Sequence, residues 1–440
     1  MLIKMYQKWI EKGISKGFSD LEIFINKNKK LNISLENAKI DNYTESKIIS
    51  VSLKGIYKNK ISQVYFENLS DDNFEKMLDV LKNNISVIDT KEPAIIFEGS
   101  EKYPNIIENN FDFSKVDLEM KINLLKNLEK IISKSPFYKK IEKNSYQEVF
   151  HQKILINSKG VNLQSNNSFA YIYTSAIFTK NKDVQSYGKV QLVKNFLEFD
   201  FEKHAKKIIH YGEKKLCGKS LKSNVYPTVF SNEMFAELLQ SFSGIFNAEN
   251  AYRNLTQLKD KLNEVIASPK INIIDDPLSD FTYFKEKFDD EGVACYKKII
   301  VQKGVFKLFV NNLKTAKIFN NKPTGNGFGN GISMTNFYLE KGEKTLKEMI
   351  YPIENGIYIT DLVGLHTGVE MISGDFSLQA SGFKIEQGEI TTPIKMIVIS
   401  GNFFDILKNL KDIGNDFKLQ LSGFGSASVY VGDLTIGGDE

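Results

Sequence analysis

Residues 364–416 constrain the fold more than any other stretch. Phe376, Leu378 and Ala380 alternate with polar neighbours, and Phe383 and Ile385 carry the pattern on. A period of two puts alternate side chains on opposite faces of a strand. Gly374-Asp375 and Gln387-Gly388 bracket that run, and glycine reaches the positive φ that tight hairpin turns demand. Past Pro393 an apolar strand occupies 394–399, and after Gly401 the residues Phe404, Ile406, Leu407 and Leu410 return at helical spacing. The pattern predicts an antiparallel meander closed by a short helix. By itself it specifies no reaction.

The surrounding sequence extends this picture. From about 270 onward short strands and glycine turns dominate, so 225–440 is expected to be a β-rich, antiparallel, barrel-like domain. In the N-terminal half, helical spacing at 3–18, 73–83, 114–133 and 201–216 is interspersed with strands at 21–26, 31–35, 48–57, 61–67, 146–156, 169–178 and 189–197. This is an α+β domain over 1–217, divisible near 1–92 and 111–217. Small and polar residues at 217–225 mark the boundary, and the fold class is α+β throughout. A chain of 440 residues is long enough for two or three separate cores.

Composition narrows the setting. No run approaches the roughly 18 apolar residues of a membrane span, and the opening MLIKMYQKWIEKG reads as an amphipathic helix without a signal-peptide core. The two cysteines, Cys217 and Cys295, are far apart and build no disulfide framework or CxxC site. A cytoplasmic location is expected. The formal charge of +4 does not imply nucleic-acid binding, because Arg253 is the only arginine and arginine is the side chain that reads guanine and phosphate bidentately.

Candidate site residues are few. In the helix expected at 236–247, Leu238, Leu239, Phe242 and Ile245 line one side, while Gln240 and Ser241 are polar. His204 and His210 lie six apart on one helix and point to different sides. His151 falls in a strand. His366, beside Thr367 on a turn-rich segment, can pin its loop by hydrogen bonding or contact substrate. Asp275-Asp276-Pro277 and Asp289-Asp290-Glu291-Gly292 can form turns or chelate a hard cation. The loop 321–331, NKPTGNGFGNG, has four glycines in seven residues and matches no phosphate-binding motif. Its glycines can approach a peptide backbone closely, or the segment can stand as a mobile surface loop.

The run HTGVEMISGDFSLQASGFKIEQGEI with ISGNFFDILKNLKDIGNDF after it resembles the C-terminal signature of the TldD/PmbA family. FDDEGVACYKKIIVQKGVFKLFVNNLKTAKIF and IDDP, in the same order, resemble the family's other anchors. The resemblance covers essentially the whole chain and implies an intracellular role in proteolysis, within a two-subunit zinc peptidase named partly for modulation of DNA gyrase. In that family's catalytic subunit a helix carries HExxxH and a cysteine comes from near the C-terminus. Aligned on AELLQSFSGIFN, the first histidine position holds Gln240, the glutamate Ser241 and the second histidine Ile245; no cysteine stands in 421–436. The resemblance therefore implies the PmbA (TldE) subunit type, with no catalytic residue of its own and zinc only in a TldD-like partner. Expected partners are that subunit in a heterodimer, or a second copy in isolation, with unfolded peptide as substrate held along a groove near His366, Thr367, Gly374, Asp375, Gly325 and Asn326. An independent peptidase built around His366 and the acidic turns, or a non-enzymatic regulator of gyrase or of toxin–antitoxin components, are the alternatives.

Overall fold

The computed structural model describes residues 2–67, 70–87, 89 and 92–439. Met1 and Glu440, the nominal ends of the two expected domains, lie outside the described residues. The chain forms two compact units: one of 1–216 with the short segments 287–294 and 316–325, the other of the remainder.

The first unit is built on one antiparallel sheet. Helix α1 (Leu2–Ser15) precedes β1 (Asp20–Glu36), β2 (Lys39–Tyr57) and β3 (Lys60–Phe66), then α2 (Asp71–Val87) and α3 (Leu118–Ile132). Strands β4 (Tyr138–Asn157), β5 (Asn162–Lys180) and β6 (Asp183–Val193) follow, and α4 (Phe201–Lys214) ends the run. The sheet order is β3-β2-β1-β4-β5-β6. Two-residue turns with positive φ at Asn37-Ala38, Lys58-Asn59 and Asn181-Lys182 close its hairpins. The strands expected at 21–26 and 31–35 are one continuous strand. Its polar middle, Lys27 to Lys30, stays extended because β2 and β4 bond it from both sides, for example Lys29 opposite both Lys47 and Phe150. One sheet face carries both helix pairs: α1 and α2 pack through Trp9 and Phe74, stacked at 4.6 Å, over Ile23, Ile25 and Leu53. Helices α3 and α4 cover Leu31, Ile33 and Tyr146 with Leu125, Leu128 and Ile208. On the opposite face Phe288 packs with Phe24, Leu155 and Leu163. The DDEG segment thus belongs to this unit, although it lies far along the chain.

The second unit holds β7 (Lys222–Phe230), α5 (Asn232–Phe242) and α6 (Ala248–Tyr252), followed by β8 (Ile273–Asp275), β9 (Lys298–Gln302), β10 (Val305–Phe306) and the first three residues of α7 (Leu313–Ile318), whose remainder is counted with the first unit. Then come β11 (Phe337–Leu339), α8 (Leu346–Ile350), β12 (Asn355–Val363), β13 (Asp375–Glu386), β14 (Glu389–Asn402) and α9 (Phe403–Asn409). Short strands β15 (Asp412–Ile413), β16 (Lys418–Leu419) and β17 (Phe424–Ser426) lead into β18 (Val429–Asp439). The order β14-β13-β12-β7-β18 closes on itself through β14–β18 pairing, giving a five-stranded barrel. A second sheet runs β10-β9-β8-β11-β17-β16. The expected meander is β12-β13-β14, with Gln387 and Gly388 at φ 50 and 77 in its two-residue turn. The turn expected at Gly374-Asp375 is instead the end of a long connection, 364–374, because β12 stops at Val363 and the chain crosses to β13 through two further turns. Among the named strands β7–β12 and β11–β17 pair in parallel; they join strands remote in sequence. Among the described residues no helix is long and apolar enough to cross a membrane.

Candidate functional site

Helix α5 begins at Ser231, whose Oγ accepts the Met234 N–H at 3.3 Å, a standard N-cap. It ends at Phe242 and tightens into a 3₁₀ turn, Ser243–Phe246, so the helix expected to run to 247 is shorter. The change has a local cause: side chains take the carbonyls that a longer α-helix would use. Asn250 Nδ2 donates to the Gly244 carbonyl at 2.8 Å, and the Thr256 hydroxyl to the Ile245 carbonyl at 2.9 Å.

The three aligned positions are chemically distinct. Gln240 is exposed; the Ser241 hydroxyl donates back to the Glu237 carbonyl at 3.0 Å, a bond internal to the helix. Ile245 is fully buried in the core that also encloses Phe242 and Phe246. Phe242 stacks on Phe403 at 4.4 Å. An amide, a helix-bonded hydroxyl and a hydrocarbon do not fit a zinc centre, which needs imidazole, thiolate or carboxylate ligands around an open position. Among the described residues no three His, Cys, Asp or Glu side chains gather in a metal-holding arrangement.

The segment 364–375 packs on this same turn. Met371 Sδ lies where a side chain at Gly244 would stand, only 2.4 Å from an ideal Cβ, so any larger residue there would displace the thioether. Gln257 Nε2 donates to the Ile372 carbonyl at 2.9 Å. Gly374, at φ +87, is buried against Phe404. Asp375 is exposed and accepts from Asn402 Nδ2 at 2.9 Å, which holds its carboxyl below the usual range. Asn402 also N-caps α9, so it ties the connection to the helix that follows. His366 and Thr367 are exposed. The loop around His366 is held by backbone bonds, Thr367 and Gly368 N–H both reaching the Gly364 carbonyl at 2.9 and 2.8 Å. The Thr367 hydroxyl donates to the same carbonyl at 3.4 Å.

Asp275 differs from the other acidic positions. Asp276 and Asp289 form turns, accepting from Leu278 N–H and from Glu291 and Val293 N–H. Asp275, fully buried like Asp289, instead pairs with a buried lysine, Lys298, 3.0 Å away. Its carboxylate also accepts from Asn326 Nδ2 at 2.8 Å, from Thr335 N–H at 2.8 Å and from the Thr335 hydroxyl at 2.7 Å. Asn326 donates to the Ser333 carbonyl as well. The glycine-rich loop is therefore anchored at a buried Asn326; Gly329 and Asn330 are exposed, while Gly325 is buried at φ +70.

Sequence reasoning passed over Glu237. It sits on α5, where burial and the neighbouring Glu233 and Asp361 push its carboxyl up to about 7. It also passed over Lys298, the buried first residue of β9, which follows Lys297 directly and so carried no distinguishing signal in the sequence. Asn402, directly before a helix-spaced apolar run, was legible as a cap.

Family profiles decide the relationship. The PmbA/TldA metallopeptidase C-terminal domain matches residues 223–438, the central domain 111–216 and domain 1 21–85. The chain belongs to the PmbA/TldD family. A metalloprotease of Methanocaldococcus jannaschii is 26% identical over 453 aligned residues, covering 96% of each chain. The crystal structure of a candidate modulator of a DNA gyrase from Thermotoga maritima superposes with a TM-score of 0.92 at 28% identity, over 99% of this chain and 100% of the other. TldE from Thermococcus kodakarensis shares the fold, with a TM-score of 0.88 at 20% identity, over 98% of this chain and 100% of the other.

Proposed function

We propose that this member of the PmbA/TldD metallopeptidase family is the PmbA/TldE-type, non-catalytic subunit of a two-subunit peptidase, and that it helps enclose or position unfolded peptides in the cytoplasm. One observation carries the reading: Ile245, aligned with a metal-ligating histidine of the catalytic subunit, is a fully buried hydrocarbon. A side chain of that kind supplies neither ligand nor base. The Ser241 hydroxyl, spent on its own helix, supports the same conclusion. The chain's contribution is then binding. The exposed tip at His366 and Thr367, held on the α5 turn through Met371, offers contacts to an extended peptide, whose backbone hydrogen bonds tolerate many sequences.

Alone, the chain pairs with a second copy; a TldD-like subunit carrying HExxxH replaces that copy. Mixing the two subunits tests the reading, with light scattering for size and an unstructured casein-like substrate for activity. A heterodimer that cleaves the substrate while this chain alone does not is the expected result. A chain that neither binds such a subunit nor alters its hydrolysis overturns the proposal.

A further inference from the structure

Strand β2 has a free edge. Its residues from Val51 to Tyr57 pair with β3, but among the described residues no strand pairs with that side of 39–50. The side chains along it are mostly exposed, Tyr43 and Ile48 each at 49%. An open edge presents unpaired N–H and C=O groups to whatever strand arrives. The two-residue turn at Lys58-Asn59 sets Tyr57 opposite Lys60 as a bonded pair. Counting back by twos, Ile49, Lys47, Glu45 and Tyr43 turn their backbone groups toward the open side.

We infer that this edge docks the same edge of a second copy, antiparallel and centred on Ser46, over residues 42–50. The inference rests on the proposed self-association and names its surface. In an antiparallel ladder, outward-facing residues must meet outward-facing residues, so Glu45, Lys47, Tyr43 and Ile49 can oppose only one another. Centred on Ser46, Glu45 faces Lys47 of the partner subunit twice over, Tyr43 faces Ile49 of the partner subunit, and Thr44 faces Ile48 of the partner subunit. Centring on residue 45 would set Glu45 against itself, and centring on 47 would set Lys47 against itself. Opposite charges directly across a ladder stabilise and like charges oppose pairing. Within one chain Glu45 and Lys47 make only a loose contact at 3.9 Å, both well exposed. Tyr43, Glu45 and Lys47 also line a cavity of about 660 Å³ with Lys29, Phe111 and Phe150, leaving room for large side chains of the added strand.

Charge swaps read out the register by analytical ultracentrifugation. Glu45→Lys and Lys47→Glu should each weaken self-association about tenfold, because two attractive pairs become two repulsive ones. The double variant, and an equimolar mixture of the two singles, should recover it. Hydrogen exchange should show the Tyr43, Glu45 and Lys47 amides becoming protected as concentration rises through the dimer range. Singles that pair like the unaltered chain, or an equimolar mixture that fails to recover, overturn the edge while leaving the subunit reading intact. Protection of those amides by a casein-like peptide while the chain is monomeric assigns the edge to substrate and also overturns the inference. A chain monomeric at all concentrations removes both this surface and the self-association, whereas partner-dependent hydrolysis is judged separately.

Discussion

Two places in the C-terminal unit are equally closed to water and opposite in chemistry. At the end of α5 the fully buried side chains are hydrocarbon: Phe242 on Phe403, with Ile245 and Phe246 beside them. Around Asp275 the core encloses a lysine–carboxylate pair, Lys298 and Asp275 both at 0% side-chain exposure. The scaffold therefore buries charge where donors converge, three besides the lysine on this one carboxylate. The hydrocarbon at Ile245 is not imposed by an inability to hold polar groups in the interior. It is specific to the segment where catalytic relatives are expected to hold metal.

Removing half of the buried pair should have the largest effect. Lys298→Met leaves the buried Asp275 carboxyl without its lysine partner, and the expected loss is about 3–5 kcal/mol of unfolding free energy by denaturant titration. Adding Asp275→Asn should return a large part of it. A loss below about 1 kcal/mol for Lys298→Met would erase the contrast, since the charge would then be bearing little of the local structure. Ile245→Ala should cost roughly 2–4 kcal/mol through lost burial and a residual cavity. The exposed neighbour Gln240→Ala should stay within about 0.5 kcal/mol; equal costs at the two sites would contradict the buried placement of Ile245.

A smaller, pH-dependent effect separates Glu237 from both. Its carboxyl is pushed up to about 7 from an ordinary value near 4.5. The folded state thus holds the proton more tightly than the unfolded state. The contribution is fully present below about pH 4.5 and is lost as pH rises toward 7. Glu237→Gln should accordingly raise stability at pH 8 relative to the unaltered chain by on the order of 1–2 kcal/mol, and change it little at pH 4.5. That figure is well under the full shift because the side chain is only partly buried and water screens it. A gain of the same size at both pH values would point to packing and not to ionisation.

The regions differ also in how far they could be read from the chain. The β13–β14 hairpin was legible because alternation and a Gln387-Gly388 turn agree with each other. The buried side of α5 was legible from the spacing of Leu238, Leu239, Phe242 and Ile245, though its end was not. Asn250 and Thr256, whose side chains draw the carbonyls of the 3₁₀ turn, lie beyond the helix and follow no periodic signal. The closure of the barrel by β14 on β18, and the parallel pairing of β7 with β12, join strands too remote for local pattern to register. The DDEG segment was read as part of the C-terminal half because only its packing, through Phe288, places it in the first unit. Asp275 resembled a turn-former because Asp276-Pro277 follows it. Its partners Lys298, Asn326 and Thr335 are scattered along the chain, and only folding assembles them.

Metal content of the isolated chain tests the central claim most directly. After purification and mild chelation, elemental analysis should find zinc far below stoichiometric, and the chain alone should not cleave an unstructured peptide. Stoichiometric zinc that resists the chelator, together with peptidase activity of the isolated chain, would contradict the account.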